Sequence, residues 1–331
     1  MSNRRKLLLA LGAAALASPL SSLAQPATKV WRIGYLGPSA RPGNLESDVQ
    51  IGALLKGLRE LGYVDGKNLK MEWRYAGNSV ERLQGDASEL AQLKVDVIVA
   101  ANTTAAHAAR KATATIPIVM ASSGDPVRAG FVASLARPGG NITGLTSMSG
   151  DLGPKHLEML LSMVPRLSRV AVLFNPANSG NLAILENVQA AARITNVRIL
   201  PVEARTVQDI EKAFAAMARE NAGAVIVAPD SLFTREMRQN AERAAKQRLP
   251  SIAAAREFAE AGGLMSYGRN QADSFRRTAV FVDKIFKGAK PGDLPVEQPT
   301  TFELFINGKT AKALGLKIPQ SLLITAEKVI E

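Results

Sequence analysis

VDVIVAANTTAAHAARKATATIPIVMASSGDPV, Val95 to Val127, is the stretch whose reading decides the fold. It opens on an apolar, β-branched run, Val97-Ile98-Val99, and passes through a polar turn at Asn102-Thr103-Thr104 into an Ala-rich helix. A second strand, Ile116 to Met120, follows and ends in Ser122-Ser123-Gly124-Asp125. Apolar strands that do not alternate with polar residues, separated by helices, are what a parallel sheet covered on both faces requires. The polar residues then fall just past the carboxyl ends of the strands, where open α/β sheets bind ligands. The same order of strand, polar turn, helix, X-Pro step and strand recurs in AGAVIVAPDSLFTREMRQNAERAAKQRLPSIAA, Ala222 to Ala254, with Asp230-Ser231 at the turn. One chain therefore holds two similar α/β halves, each with a polar rim.

The bounds agree. A chain of 331 residues is long enough for two domains of about 150 residues, each with its own core. An apolar fraction of 47% and a charged fraction of 21% are those of a folded globular protein. The absence of cysteine removes disulfides, thiolate metal ligands and thiol nucleophiles. Residues 1–24 read as a cleavable export signal: Arg4, Arg5 and Lys6, an apolar Leu7 to Ala17 too short to span a bilayer, and Ser22-Leu23-Ala24 at the cleavage point. The Arg4-Arg5 pair fits a twin-arginine or a general secretory route. The net charge of +12 raises nucleic acid as a partner. Against that, Arg235, Arg238, Arg243, Lys246 and Arg248 are interleaved with Glu236 and Glu242, as on a solvated helix face, and no nucleic-acid motif accompanies them.

Outward from the two repeated units, Val30 to Leu36 reads as the first strand, Asp48 to Leu61 as a helix stopped by Gly62, Lys70 to Tyr75 as a strand and Val80 to Leu93 as a helix. After the Pro138-Gly139-Gly140 break come a strand in Asn141 to Met148 and a helix in Gly153 to Met163. Val170 to Phe174 then mirrors the first strand, ending in Asn175-Pro176-Ala177-Asn178-Ser179. Gly262 to Gly268 reads as a segment crossing back, Ala272 to Phe286 as a helix, and Phe302 to Ile306 as a strand after a Pro-rich link. Connections near 141–149, 262–270 and 296–304 predict a three-segment hinge. The expected division is residues 1–24 as signal peptide, 29–145 plus 269–297 as lobe I, and 146–268 plus 298–331 as lobe II.

Catalytic and cofactor motifs are poorly represented. His107 and His156 are the only histidines, and neither has a partner at metal-ligand spacing. No G-x-S-x-G or G-x-G-x-x-G occurs, and Gly308-Lys309-Thr310 lacks the glycines of a phosphate loop, with Glu303 in the leading position. The rim residues fit ligand binding: Ser39, Asn102, Thr103, Thr104, Ser122, Ser123, Asn175, Asn178, Ser179 and Ser231 as neutral hydrogen-bonders. Asp125 and Asp230 are one carboxylate per half, and Tyr267 is a candidate aromatic contact. Hydroxyls and amides before helices suit an anion on the free N–H groups, and they equally suit capping. Asp125, in Gly124-Asp125-Pro126, equally suits a turn.

Taken in order, IGYLGPSA, GLRELGYVDGKNL, VDVIVAANTTAA, IPIVMASSGDPV, LARPGGNITGL, VAVLFNPAN, GGLMSYG, VDKIFKGAKPGDLPVEQP and FELFINGKTAKALGL resemble the ABC-transporter substrate-binding protein family that includes tryptophan- and tyrosine-binding proteins. The resemblance spans nearly all of residues 29–331. It implies an α/β fold of the type I periplasmic-binding-protein kind, two doubly wound parallel-sheet lobes joined by a three-segment hinge. It further implies a periplasmic monomer that captures an amino acid or related small polar organic molecule between the lobes and delivers it to an inner-membrane ABC permease. No cofactor, metal, catalytic residue or nucleic-acid partner is expected. The alternative is a secreted, transferase-like enzyme with its site in the same cleft, which would need a positioned acid, base or nucleophile there.

Overall fold

The computed structural model describes residues 29–331; the export signal read in residues 1–24 lies outside the described residues. The first half runs β1 (Trp31–Gly37), α1 (Val49–Glu60), β2 (Leu69–Tyr75), α2 (Val80–Gln92), β3 (Val97–Ala100), α3 (Thr103–Ala112), β4 (Ile118–Ser123) and β5 (Ile142–Thr146). The second half begins with α4 (Ser149–Met163), β6 (Arg169–Phe174), α5 (Ser179–Thr195), β7 (Arg198–Glu203), α6 (Val207–Arg219) and β8 (Ala224–Val227). It continues through α7 (Ser231–Arg235), α8 (Met237–Lys246), β9 (Ser251–Ala253), α9 (Arg256–Glu260), β10 (Met265–Arg269) and α10 (Gln271–Phe286). β11 (Phe302–Asn307), α11 (Gly308–Leu314), α12 (Gln320–Thr325) and β12 (Ala326–Ile330) close the chain.

Two sheets result. The first has the order β2-β1-β3-β4-β5 and is parallel throughout. The second, β12-β11-β10-β9-β8-β6-β7, contains the same doubly wound order in β7-β6-β8-β9-β10; β11 then joins β10 antiparallel and pairs β12 in parallel. The inner strands are apolar on both sides because both sides are covered. In β3, Val97 and Val99 enter the core under α1 and α10, while Ile98 and Ala100 enter the core under α2 and α3. In β6 and β8, Val172, Phe174 and Ile226 pack under α4 and α5, while Leu173, Val225 and Val227 pack under α6 and α8. A period of two directed at two apolar layers reads as an unbroken hydrophobic run.

The chain passes between the sheets three times: between β5 and α4, between β10 and α10, and between the 3₁₀ turn Pro291–Asp293 and β11. The returning segment is anchored by α10, whose Phe275, Ala279, Phe281, Val282 and Phe286 are buried in the first core. Full burial of such a side chain contributes about 1.5–3 kcal/mol. The approach of α10 to α1 depends on Gly57: a Cβ there would lie 2.6 Å from the Arg276 carbonyl oxygen and 3.0 Å from Ala279 Cβ.

Three segments differ from their sequence reading. Gly262 to Gly268 does not itself cross: β10 stays in the second sheet beside β9, and the passage comes at Asn270, where that residue caps α10. The basic segment after Asp230 is two helices, α7 and α8, separated at Glu236. The C-terminal β12 is an edge strand that pairs only β11; its Ala-Glu-Lys-Val-Ile carries too little apolar patterning to announce it.

Two expected outcomes follow from this packing. In Gly57→Ala the gain in helix propensity, about 1 kcal/mol, is opposed by contact with a backbone atom that no rotamer change relieves. A net loss of about 1–2 kcal/mol is expected, read as a lowered urea midpoint at unchanged m. His156 on α4 is 1% exposed and donates from Nε2 to the Tyr267 carbonyl oxygen at 2.7 Å. Burial pushes its pKa down to about 4, against the opposing pull of that hydrogen bond. Because the folded pKa lies below the unfolded value of about 6.5, the unfolded chain takes up the proton first, and stability is lost as pH falls from 6.5 through 4. The loss approaches about 3 kcal/mol at the acid end, and His156→Gln, which keeps a donor but does not titrate, should flatten that part of the melting-temperature profile.

Candidate functional site

The carboxyl ends of the two doubly wound sheets face a shared cavity of about 510 Å³. In each sheet the strand order reverses between two neighbours, β1 and β3 in the first, β6 and β8 in the second. The loops that follow those strands diverge and leave a crevice. The first lobe contributes Gly37 to Ala40 after β1, Ala101 to Thr103 after β3, Ser122 and Gly124 at the end of β4, and the start of α1 from Asp48 to Ile51. The second contributes Asn178, Gly180 and Asn181 from the start of α5, and Pro229 to Ser231 after β8. Ser147, Arg269 and Gln271 come from the crossing segments.

Helix starts dominate the walls, and those of α1, α3, α5 and α7 are each capped by the side chain that precedes them. Asn102 Oδ1 accepts from the Ala105 N–H at 3.0 Å, and its Nδ2 donates to Ser231 Oγ at 3.1 Å, a bond from one lobe to the other. Asn178 Oδ1 accepts from the Gly180 N–H at 3.1 Å, while its Nδ2 donates to Asp230 Oδ2 at 2.9 Å. Asp230 Oδ1 accepts from the Leu232 N–H at 2.9 Å and from Asn175 Nδ2 at 3.3 Å. Asn181, 1% exposed, holds the two loops together: Oδ1 accepts from the Asn175 N–H at 2.9 Å and Nδ2 donates to the Pro229 carbonyl at 2.8 Å. Asp48 caps α1, accepting from the N–H groups of Gln50 and Ile51 at 3.0 and 2.8 Å. The starts of α3 and α5 lie close together, since a Cβ at Gly180 would stand 4.0 Å from Thr103 Oγ1. Aligned helix starts direct partial positive charge into the cavity.

Two arginines line the cavity, Arg235, which pairs with Glu236 at 3.1 Å, and Arg269. Arg269 ends β10; its Nη2 donates to Ser122 Oγ, and its Nη1 is buried without a hydrogen-bond partner. Among the described residues it forms no ion pair, and burial alone pulls its pKa down to about 10. Tyr35 and Tyr75 belong to the first-lobe wall, and Trp73 does not line the cavity. Tyr35 packs against Trp73 and Tyr75 at ring-centroid distances of 5.2 and 5.4 Å. Burial, and then Asp48, pushes the Tyr75 hydroxyl well above its ordinary pKa, and that hydroxyl too is buried and unpartnered.

Of the residues singled out in the sequence, Ser39, Asn102, Thr103, Ser122, Asn178, Asp230 and Ser231 line this cavity. Asn175 stands one shell back, holding Asp230. Thr104, Ser123, Asp125, Ser179 and Tyr267 do not line it. Ser123 alternates away from Ser122 along β4 and is fully buried. Asp125 is exposed and turns its carboxylate onto the N–H groups of Val127 and Arg128 at 3.1 and 2.9 Å, the turn role open to it. Ser179 is exposed beyond the Asn178 cap. Tyr267 stacks on Phe302 at 5.7 Å and meets His156 edge to face. Asp48, Gln50, Tyr75, Ser147, Asn181, Arg269 and Gln271 reach the cavity without a signal of their own. An arginine after a strand in so basic a chain, or an aspartate before a helix, is indistinguishable in sequence from a surface charge or a cap.

Comparison with known proteins gives a consistent result. A family model described as ABC transporter substrate binding protein matches residues 46–330. A protein named tyrosine-binding protein from Clostridioides difficile (strain R20291) is 28% identical over 264 residues, 80% of this chain and 75% of its own. Among solved structures, a domain in complex with L-Trp from Streptococcus pneumonia superposes with a TM-score of 0.83 at 25% identity, covering 91% of this chain and 99% of its own. The ligand-free, open structure of a substrate binding protein with adhesive properties from Clostridium difficile reaches a TM-score of 0.65 at 26% identity, over 91% of this chain and 98% of its own. With the family model matching most of the chain and two doubly wound sheets facing one cavity, this protein belongs to the ABC transporter substrate-binding protein family.

Proposed function

We propose that this chain is exported to the periplasm, captures an amino acid or related small polar organic molecule between its lobes, and presents it to an inner-membrane ABC permease. The observation that carries this reading is the cavity itself, set at the switch points of two lobes and bridged by the Asn102–Ser231 bond. The tyrosine-binding relative and the tryptophan-bound structure support an amino acid, aromatic ones included, and Tyr35 and Tyr75 in the cavity lining offer ring surface to such a side chain.

The lobe arrangement supports capture by closure. At nearly equal identity, the chain superposes better on the tryptophan-bound structure than on the open, ligand-free one, so sequence divergence does not account for the difference. Cross-lobe contacts agree with a closed state: besides Asn102–Ser231, Arg128 Nη2 lies 2.6 Å from Glu186 Oε2 at the surface. Both partners are more than half exposed, so this pair contributes at most about 1 kcal/mol, enough to bias closure and too little to lock it. The three passages between sheets serve as the hinge, with residues 29–145 plus 270–297 moving against 146–269 plus 298–331. The aspartates at the cavity are engaged in capping, which favours binding over turnover.

We assign the ligand's ammonium group to Asp230, whose carboxylate is oriented by Asn175, Asn178 and the Leu232 N–H. Asp230→Asn keeps the capping oxygen and removes the charge. For a bound amino acid identified by calorimetry, affinity should fall about thirty-fold or more, while the ligand-free protein loses only the Asn178 hydrogen bond, about 0.5–1.5 kcal/mol. A lowered ligand-free melting temperature with unchanged affinity would make Asp230 a cap alone. Closure is tested separately. A saturating ligand at one hundred times Kd should stabilise the protein by about 2.7 kcal/mol and reduce its radius of gyration in solution scattering. Stabilisation without compaction would count against a hinged clamp.

A further inference from the structure

Resting on that reading, we infer that the captured molecule carries a carboxylate and that Arg269, together with Ser122, is the seat that selects for it. A guanidinium has five N–H donors in a planar fork matched to a carboxylate. Here one edge is committed to Ser122 Oγ, and Nη1 is buried and left without a partner, at the wall of the cavity. A buried cation is ordinarily found paired, because desolvation without a counter-charge is strongly unfavourable.

No protein carboxylate answers it. Asp48 is turned onto the first turn of α1, and Asp230 onto Asn175, Asn178 and the Leu232 N–H. Among the described residues, neither these nor Glu257, the third acidic group of the lining, forms an ion pair with Arg269. Burial is the sole influence moving the Arg269 pKa, as expected when no negative group stands close. The position adds selectivity: Arg269 ends the second-lobe strand β10 just before the chain passes to the first lobe, and Ser122 belongs to first-lobe strand β4. A carboxylate on the guanidinium would complete a contact that joins ligand, second lobe and first lobe beside a hinge passage.

The test uses the full mature chain, freed of carried-over ligand by unfolding and refolding. It is screened by thermal shift against the proteinogenic amino acids, short mono- and dicarboxylates, and neutral sugars and polyols. Each acid that binds is then measured by calorimetry beside its carboxamide, on wild type, Arg269→Gln and Arg269→Lys. The expected result is that acids bind, that the carboxamide of each binds at least about thirty-fold more weakly, and that Arg269→Gln loses a similar factor for the acid but little for the carboxamide. The ligand-free melting temperature of Arg269→Gln should hold or rise, since an uncompensated buried charge is removed; a purely structural arginine would lower it. Binding of neutral polyols with no acid bound, or carboxamides within about three-fold of their acids, overturns the carboxylate seat while leaving capture of a small polar molecule intact. If Arg269→Gln fails to fold, the wild-type acid and carboxamide pair decides alone. No binding of any compound by refolded wild type overturns the capture reading, and the seat with it.

Discussion

A parallel sheet buried on both faces has only its ends in which to do polar chemistry, and this constraint shapes the whole molecule. Val97 and Ile98, or Val172 and Leu173, point into opposite cores and are closed to solvent. Function is therefore confined to the loops past the carboxyl ends of the strands, where the following helices also present unsatisfied N–H groups. Two such sheets set end to end place eight or more of these loops around one volume, and a binding cleft follows from packing before any particular side chain is chosen.

In the proposed function, three passages of the chain make this cleft a clamp. With a single connection the lobes would be free to separate in many directions; with three, relative motion is limited to bending about closely spaced segments. The arrangement depends on the return of α10 to the first core, and that return depends on the missing Cβ at Gly57 and on the buried phenylalanines of α10. The clamp's geometry is thus maintained by apolar packing far from the cavity. The cavity residues are freed to satisfy ligand and caps together.

The same division shows in the electrostatics. Away from the cavity, charged residues pair on exposed surfaces, as Arg256 does with Glu260 and Arg276 with Glu60, each contributing little. Inside it, Asp230 is surrounded by donors and Arg269 has too few acceptors. A protein optimised for stability alone would give Arg269 a carboxylate or replace it. Keeping such a group is the usual signature of a binding site whose last partner comes from outside.

By itself the sequence determined the class of fold. The runs around Val97 and Val225, the X-Pro steps before β4 and β9, and the polar turns at Asn102 and Asp230 are local features set by strand burial, backbone geometry and helix capping. Those forces act within a few residues, so their marks are readable without a structure. Only the tertiary structure decided which polar residues share the cavity. Ser122 and Ser123 are adjacent and chemically identical, yet the strand's alternation sends one to the cavity and the other into the core. Asp125 and Asp230 both follow a strand, but one folds back on its own turn and the other is drawn inward by Asn175 and Asn178, about fifty residues away. Arg269 carries no local mark at all. Its significance comes from burial beside Ser122, 147 residues earlier in the chain, and burial across such a separation is a property of the fold.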